Sequence, residues 1–178
     1  VLGGGTMTFK PSMRTNGFAD DFIPGLPNID TEKITLNPEE ITKAHLKLNI
    51  TSSTDDLSYF TDFYFTNNAT LGLDPGYDAG AFNQSTKLST RLPQGSNQTA
   101  FARNAMGMDA MQNTRVPLEI IQNAGQAFTI SIADMDLPED IYVYLEDTLN
   151  GTLTSLKDQD FELVAQSNLS GVDRFFVV

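Results

Sequence analysis

The chain has 178 residues and a hydrophobic content of 40%, enough for one domain with a buried core. Its 23 acidic residues outnumber its 11 basic ones, which gives a formal net charge of -12. This balance argues against nucleic-acid binding and against adhesion to an anionic membrane, because both need clustered Lys and Arg. Cysteine is absent, which excludes disulfides, thiolate zinc sites and cysteine nucleophiles.

The first 36 residues differ in composition from the rest of the chain. They contain the glycine cluster at residues 3–5, a short strand-like run at residues 6–10, and then an irregular stretch rich in proline and glycine. We therefore predict an N-terminal strand and arm over residues 1–36, packed on a body formed by residues 37–178. Because the chain begins with Val1, we expect it to be processed or excised from a larger protein.

The body shows the period of two that is typical of β-strands. In residues 43–51, Ala44, Leu46, Leu48 and Ile50 alternate with polar residues, which places His45 on the solvated face. Further strand-like runs cover residues 59–65, 87–92, 116–121, 126–132, 141–145, 161–165 and 174–178. Turn residues separate these runs, and Asn150-Gly151 is the strongest hairpin signal. The pattern predicts an all-β fold, an antiparallel β-sandwich of eight to ten strands, jelly-roll or immunoglobulin-like. No run reaches transmembrane length, so we expect no membrane insertion.

Residues 71–82 form the most glycine-rich stretch of the body and indicate a turn in which Gly76 has φ > 0. Asp74 and Asp78 lie four residues apart in this turn, so their carboxylates can face each other or a cation.

Two further groups of acidic residues follow. Asp134 and Asp136 belong to a cluster around Pro138 that also contains Glu139 and Asp140, and Glu146 and Asp147 end a strand. Calcium takes six to eight oxygen ligands, so we predict a calcium site that uses Asp74, Asp78, Asp134 and Asp136. The alternative is that these aspartates cap turns by accepting backbone N–H bonds.

The aromatic strand over residues 59–65 has two interpretations. Its aromatic residues are Tyr59, Phe60, Phe63, Tyr64 and Phe65, which either pack in the core or stack on a sugar ring. A strand with aromatic residues on both faces buries one set. Core packing is favoured, because the chain has no Trp.

Catalytic signals are weak, and we expect a non-catalytic protein with no catalytic residues. No nucleophile elbow, phosphate loop or zinc-binding HExxH motif occurs. A Ser-His-Asp triad would have to use His45, the one histidine. Paired carboxylates leave glycoside hydrolysis as a third hypothesis.

Several short motifs suggest modification. Asn-x-Ser/Thr sequons begin at Asn49, Asn68, Asn83, Asn97, Asn150 and Asn168. Residues 147–149, Asp-Thr-Leu, resemble the O-glycosylation signal of Bacteroidota.

A succession of motifs resembles a β-sandwich module of flavobacterial secreted surface proteins. The motifs are LGLDPGYDAGAF at residues 71–82, LSTRL at 88–92, VPLEI at 116–120, FTISI at 128–132, VYLED at 143–147 and DRF at 173–175. In that family the module precedes the C-terminal sorting domain of the type IX secretion system. The resemblance implies a non-catalytic domain of a large exported protein, often an adhesin or a degradative enzyme. The printed sequence contains no sorting motif after residue 175, so we expect the sorting signal to be either cleaved or outside these 178 residues.

These observations lead to two main hypotheses. The first is a structural or adhesion module, adjacent to a type IX sorting signal, of a protein that is secreted or displayed on the bacterial surface. Its partners would be other domains of the exported protein and the type IX machinery. The alternative is a carbohydrate-binding module, stabilised by calcium, of a secreted polysaccharide-degrading protein.

Overall fold

The computed structural model describes residues 43–53, 55–81, 87–94 and 99–178, all within the compact unit Asn37–Val178. The arm predicted over residues 1–36 lies outside the described residues.

The described residues form eleven strands and one short helix, which confirms the all-β prediction and adds one strand to the expected range. The strands are β1 (Lys43–Ser52), β2 (Asp55–Thr66), β3 (Ala79–Gly80), β4 (Leu88–Thr90), β5 (Phe101–Met106), β6 (Val116–Ile120), β7 (Ala127–Asp136), β8 (Tyr144–Asp147), β9 (Thr152–Ser155), β10 (Phe161–Val164) and β11 (Phe175–Val177). The helix is α1 (Ala110–Asn113). No helix in the described part of the chain is long and apolar enough to cross a membrane.

All eleven strands belong to one hydrogen-bonded sheet that is nearly closed into a barrel. The strand order is β10-β7-β1-β2-β5-β4-β6-β11-β8-β9, with β3 paired to β5 outside this path. The pair β2–β5 is parallel and the other pairs are antiparallel, so the prediction of a purely antiparallel arrangement is wrong. The connection from β2 to β5 contains β3 and β4 and is long enough to return the chain to the start of β2, as parallel pairing requires.

The long hairpin of β1 and β2 supplies the centre of one half of the sheet. Leu46, Leu48 and Ile50 of β1 are buried, as their alternation predicted. On β2 the buried residues Phe63 and Phe65 alternate with outward residues in the same way. The hairpin therefore has one apolar face and one polar face, and the apolar face packs in the core.

Three phenylalanines join distant parts of the strand order inside the core. Phe128 of β7 lies with its ring centroid 6.2 Å from that of Phe161 on β10 and 6.4 Å from that of Phe175 on β11. Phe161 and Phe175 pack edge to face at 5.9 Å. Since β10 and β11 lie in opposite halves of the strand order, these contacts hold the two halves together across the core.

Strand β6 lies between β4 and β11, inside the sheet. Pro117 is the second residue of β6 and therefore lies at the entry of a strand, where a proline is tolerated.

Candidate functional site

The turn that contains Asp74 and Asp78 is held together by its own hydrogen bonds. Gly76 has φ of 92°, which confirms the predicted positive φ. The backbone N–H of Thr70 donates to Asp74 Oδ2 at 2.6 Å, and the N–H of Asp74 donates to Asp78 Oδ2 at 2.7 Å. The other oxygen of Asp78 accepts the N–H of Ala105 on β5 at 2.7 Å. Both carboxylates thus stabilise the turn, and Asp78 also attaches it to the sheet.

We expect Gly76→Ala to lower the free energy of unfolding by about 1 kcal/mol or more, because a Cβ is strained at this φ. The matched control is Gly72→Ala. A Cβ there meets only Thr70 Oγ1, at an ordinary 3.6 Å, so a change of a few tenths of a kcal/mol is expected. Urea denaturation of both variants measures the difference, and equal midpoints would contradict the role of Gly76.

The other two predicted calcium ligands, Asp134 and Asp136, lie on strand β7. Asp134 and Asp136 pair in register with Lys47 and His45 of β1. In the described ranges, no three His, Cys, Asp or Glu side chains come close enough together to hold a metal ion. The structure brings Asp74 to Asp78 but does not gather all four aspartates, and the calcium site stays a prediction.

His45 lies on the outer face of the sheet, as expected, and has partners on both neighbouring strands. Its Nε2 lies 3.3 Å from Asp62 Oδ1 on β2, and its Nδ1 lies 3.6 Å from Asp134 Oδ2 on β7. Its ring lies 4.4 Å from that of Tyr64. These contacts place two carboxylates around the imidazole, and they link three strands on the outer face.

The aromatic strand divides between the two faces of the sheet. Phe63 and Phe65 are buried, whereas Phe60 and Tyr64 are exposed. The exposed rings are engaged by cations: Lys47 Nζ lies 4.8 Å from the centroid of Phe60, and the guanidinium of Arg103 lies 4.7 Å from that of Tyr64. Because cationic groups lie over both rings, this strand is a poor surface for stacking a sugar.

The end of β8 contains a buried ion pair. Asp147 is 0% exposed, and its two oxygens accept bonds from Arg174 Nε at 2.8 Å and Nη2 at 2.7 Å. The same carboxylate accepts the backbone N–H of Leu149 at 3.1 Å and the side-chain amide of Asn150 at 2.8 Å. Asp147 therefore ties the turn between β8 and β9 to the residue that precedes β11.

This environment changes the pKa of Asp147. Burial raises its pKa, but the hydrogen bond and charge of Arg174, with the N–H groups of Asn150 and Leu149, outweigh burial and hold the pKa below its ordinary value of 3.8. A carboxyl whose pKa falls on folding stabilises the protein above its unfolded pKa. That contribution is lost as the pH falls through the folded pKa.

We expect the stability advantage of the native chain over Asp147→Asn to be constant from pH 7 to about 5. It should shrink as the pH falls below 3.8, through the lowered pKa. Urea midpoints of the two proteins between pH 7 and 2 measure this difference. A difference that stays the same down to pH 2 would contradict a charged, stabilising Asp147.

Three side chains of the predicted modification sites make hydrogen bonds within the protein. The Thr148 hydroxyl donates to the backbone oxygens of Asp173 at 3.2 Å and Arg174 at 3.0 Å. The Asn150 side-chain amide is bound to Asp147, and Asn168 Oδ1 accepts the N–H of Ala124 at 2.9 Å. These polar groups contribute to turns of the fold.

A groove lies where the sheet fails to close, between the outer edges of β9 and β10, and we call it the seam groove. One part of it is lined by β9, β10 and the loop between them, with Thr154, Asp160 and Glu162 among its residues. The adjoining part shares Asp160 and has an apolar floor that includes Ile132, Met135, Leu137 and Leu156. Glu139 and Lys157 complete the charged lining of this second part.

Two tyrosines lie beside the seam groove. Tyr142 is 61% exposed, and its ring lies 6.3 Å from that of Tyr144 at an interplanar angle of 22°. Lys157 Nζ lies 5.7 Å from the centroid of Tyr142 and 3.5 Å from the backbone oxygen of Glu139. Lys157 thus connects the groove to the tyrosine pair.

The sequence predicted a strand through Tyr142 and Tyr144 but gave no sign of a groove beside them. The acidic cluster around Pro138 could have indicated the groove, because its residue Glu139 lies in the groove lining. Lys157 and Asp160 belong to no sequence motif. They could not be assigned to a groove, because its position depends on which strand edges remain unpaired.

Comparison with known proteins identifies the family of the chain but no characterised relative. Neither a curated protein nor a solved structure matches it. A family model described as a domain of unknown function, DUF8693, matches residues 3–178, and the chain belongs to this family.

Proposed function

We propose that the protein is a non-catalytic structural or adhesion module of a secreted or cell-surface bacterial protein, adjacent to a type IX sorting signal. The observation that carries the proposal is the use of its acidic side chains. Asp78 accepts two backbone N–H bonds from the fold, and Asp147 accepts two bonds from Arg174. A site for acid–base catalysis needs carboxylates that are directed at a substrate. The resemblance to secreted surface modules supports the same conclusion.

We also propose that the two halves of the mixed sheet pack face to face, as the layers of a β-sandwich do. The core cluster supports this arrangement, because it combines inward residues of β1 and β7 with those of β6, β8 and β11. The partners in this proposal are other domains of the exported protein and the type IX machinery.

The test is deletion of this domain from its parent protein in the native bacterium. We expect a loss of the parent protein from the cell surface or culture medium, measured by quantitative immunoblotting of cell fractions. Unchanged export and surface attachment, together with turnover of a polysaccharide by the purified 178-residue chain, would overturn the proposal.

A second candidate function is carbohydrate binding, favoured by the exposed tyrosine pair. Nearly parallel rings of Tyr142 and Tyr144 offer apolar surface, and Lys157 offers a hydrogen-bond donor beside them. Retention of the chain on a polysaccharide affinity gel tests this function. Tyr142→Ala should abolish the retention, and the control Tyr77→Ala, at another exposed tyrosine, should preserve it. If calcium supports the module, a chelator should lower its melting temperature.

A further inference from the structure

The two ends of the strand order, β9 and β10, each have one edge that pairs with no other strand of the described chain. The N–H of Ala165 donates to the backbone oxygen of Gln126 at 3.0 Å, directly after β10. Because antiparallel pairing uses alternate residues, the N–H groups of Glu162 and Val164 point away from β7, toward the free edge. The N–H of Leu156 donates to the Val143 oxygen at 2.9 Å. By the same alternation, the backbone N–H groups of Leu153 and Ser155 point away from β8.

These edges carry exposed apolar side chains. Leu153 on β9 is 63% exposed, and Val164 on β10 is 48% exposed. An unpaired edge with apolar residues is a template for another strand, and proteins usually cover or charge such an edge. The apolar floor of the seam groove, which includes Ile132 and Leu156, adds apolar surface next to the same edges.

The charge around the groove selects the kind of strand that fits. Asp158, Asp160 and Glu162 are exposed along the loop before β10 and on β10 itself. A second copy of this chain would bring the same acids into contact, and with a net charge of -12 this pairing is repulsive. A strand that carries Lys or Arg would be attracted to the same residues.

We propose that the seam groove binds an extended, basic peptide segment of another protein or domain, which adds a strand at the free edge of β10. The added strand pairs its backbone with Glu162 and Val164, and at Val164 it replaces the bond that the backbone oxygen accepts from Gln166 Nε2 at 3.3 Å. Its alternate basic side chains lie on the outer face, beside Asp160 and Glu162, where their aliphatic stems cover Val164. Its apolar side chains lie on the opposite face, toward the groove floor. The proposal rests on the proposed function, since a module of a larger exported protein has neighbouring domains that can supply such a segment.

The test measures binding of two labelled ten-residue peptides to the 178-residue chain by fluorescence anisotropy. One peptide alternates Lys with Val and the other alternates Glu with Val. We expect the Lys peptide to bind at least tenfold more tightly than the Glu peptide, and its binding to slow amide hydrogen exchange at Glu162 and Val164.

Variants locate the site. Glu162→Lys should weaken binding of the Lys peptide at least tenfold, whereas Asp109→Lys should leave it unchanged. Asp109 provides the same charge change outside the groove, where it makes no capping hydrogen bond to α1. Val164→Pro removes an edge N–H and should also weaken binding at least tenfold, while Val164→Thr keeps the N–H and should bind normally.

Peptide binding is measured on the purified chain, whereas the proposed function is measured by export in cells. One proposal can therefore fail while the other holds. The peptide proposal is overturned if neither peptide binds, if the Glu peptide binds as well, or if Glu162→Lys has no effect. It is also overturned if a polysaccharide displaces the Lys peptide, since the groove is then a glycan site. Dimerisation of the chain that Val164→Pro abolishes would overturn it too, because a second copy then occupies the edge.

Discussion

Arg174→Ala is expected to lower the free energy of unfolding by about 3–5 kcal/mol. The substitution leaves the Asp147 carboxylate buried without its charged partner, and the hydrogen bonds from Leu149 and Asn150 satisfy only part of it. It also frees the residue before β11 from the turn between β8 and β9. Urea denaturation at pH 7 measures the loss.

The control is Arg115→Ala, which removes another arginine from an ion pair. Arg115 Nε lies 2.6 Å from Glu146 Oε2, but both side chains are partly open to solvent. Its loss should cost about 1 kcal/mol or less. Equal effects of the two substitutions would show that burial of Asp147 adds nothing to the strength of its pair.

Phe128→Ala is expected to lower the free energy of unfolding by about 3–5 kcal/mol. Phe128 is almost fully buried, and its ring contacts Phe161 and Phe175, which belong to opposite halves of the strand order. Its truncation therefore creates a cavity where the two halves meet. Thermal and urea denaturation both measure this effect.

Phe60→Ala is the matched control, because Phe60 lies on the outer face and is exposed. The substitution removes the contact with Lys47 and should cost about 1 kcal/mol or less. If Phe128→Ala were as mild as this control, the phenylalanine cluster would not hold the halves of the sheet together.

Local patterns predicted the strands well where each strand has one apolar face. The alternation of Leu46, Leu48 and Ile50 placed β1 and its buried side correctly, since a strand between core and solvent must show a period of two. The positive φ of Gly76 was likewise predicted from turn chemistry, and the hairpin signal at Asn150-Gly151 falls at a second glycine with positive φ.

Strand pairing could not be predicted from the sequence, because it depends on contacts between residues far apart in the chain. The parallel pair of β2 and β5 has no signature in either segment. Strand β9 was missed, since Thr152–Ser155 has one apolar residue, and that residue, Leu153, is exposed. The open seam follows from this pairing, so the groove could not be predicted either.

The buried ion pair of Asp147 and Arg174 could not be predicted from the sequence for the same reason. The sequence singled out Asp147 as one acid of a cluster and placed Arg174 at the start of a strand, with nothing to connect them. They meet because β8 and β11 are neighbours, which brings the end of one to the beginning of the other. The Asp78 bond to Ala105 N–H arises in the same way, from the pairing of β3 with β5.

Among the described residues, the mixed sheet stays open between β9 and β10, and the N–H groups of Glu162 and Val164 face its free edge. Amide hydrogen exchange of the free 178-residue chain, resolved by residue, measures whether this edge is open. The N–H groups of Glu162 and Val164 should exchange orders of magnitude faster than those of Leu48 and Ile50, whose strand pairs on both sides. Protection of Glu162 and Val164 equal to that of Leu48 and Ile50 would show that the seam between β9 and β10 is already closed.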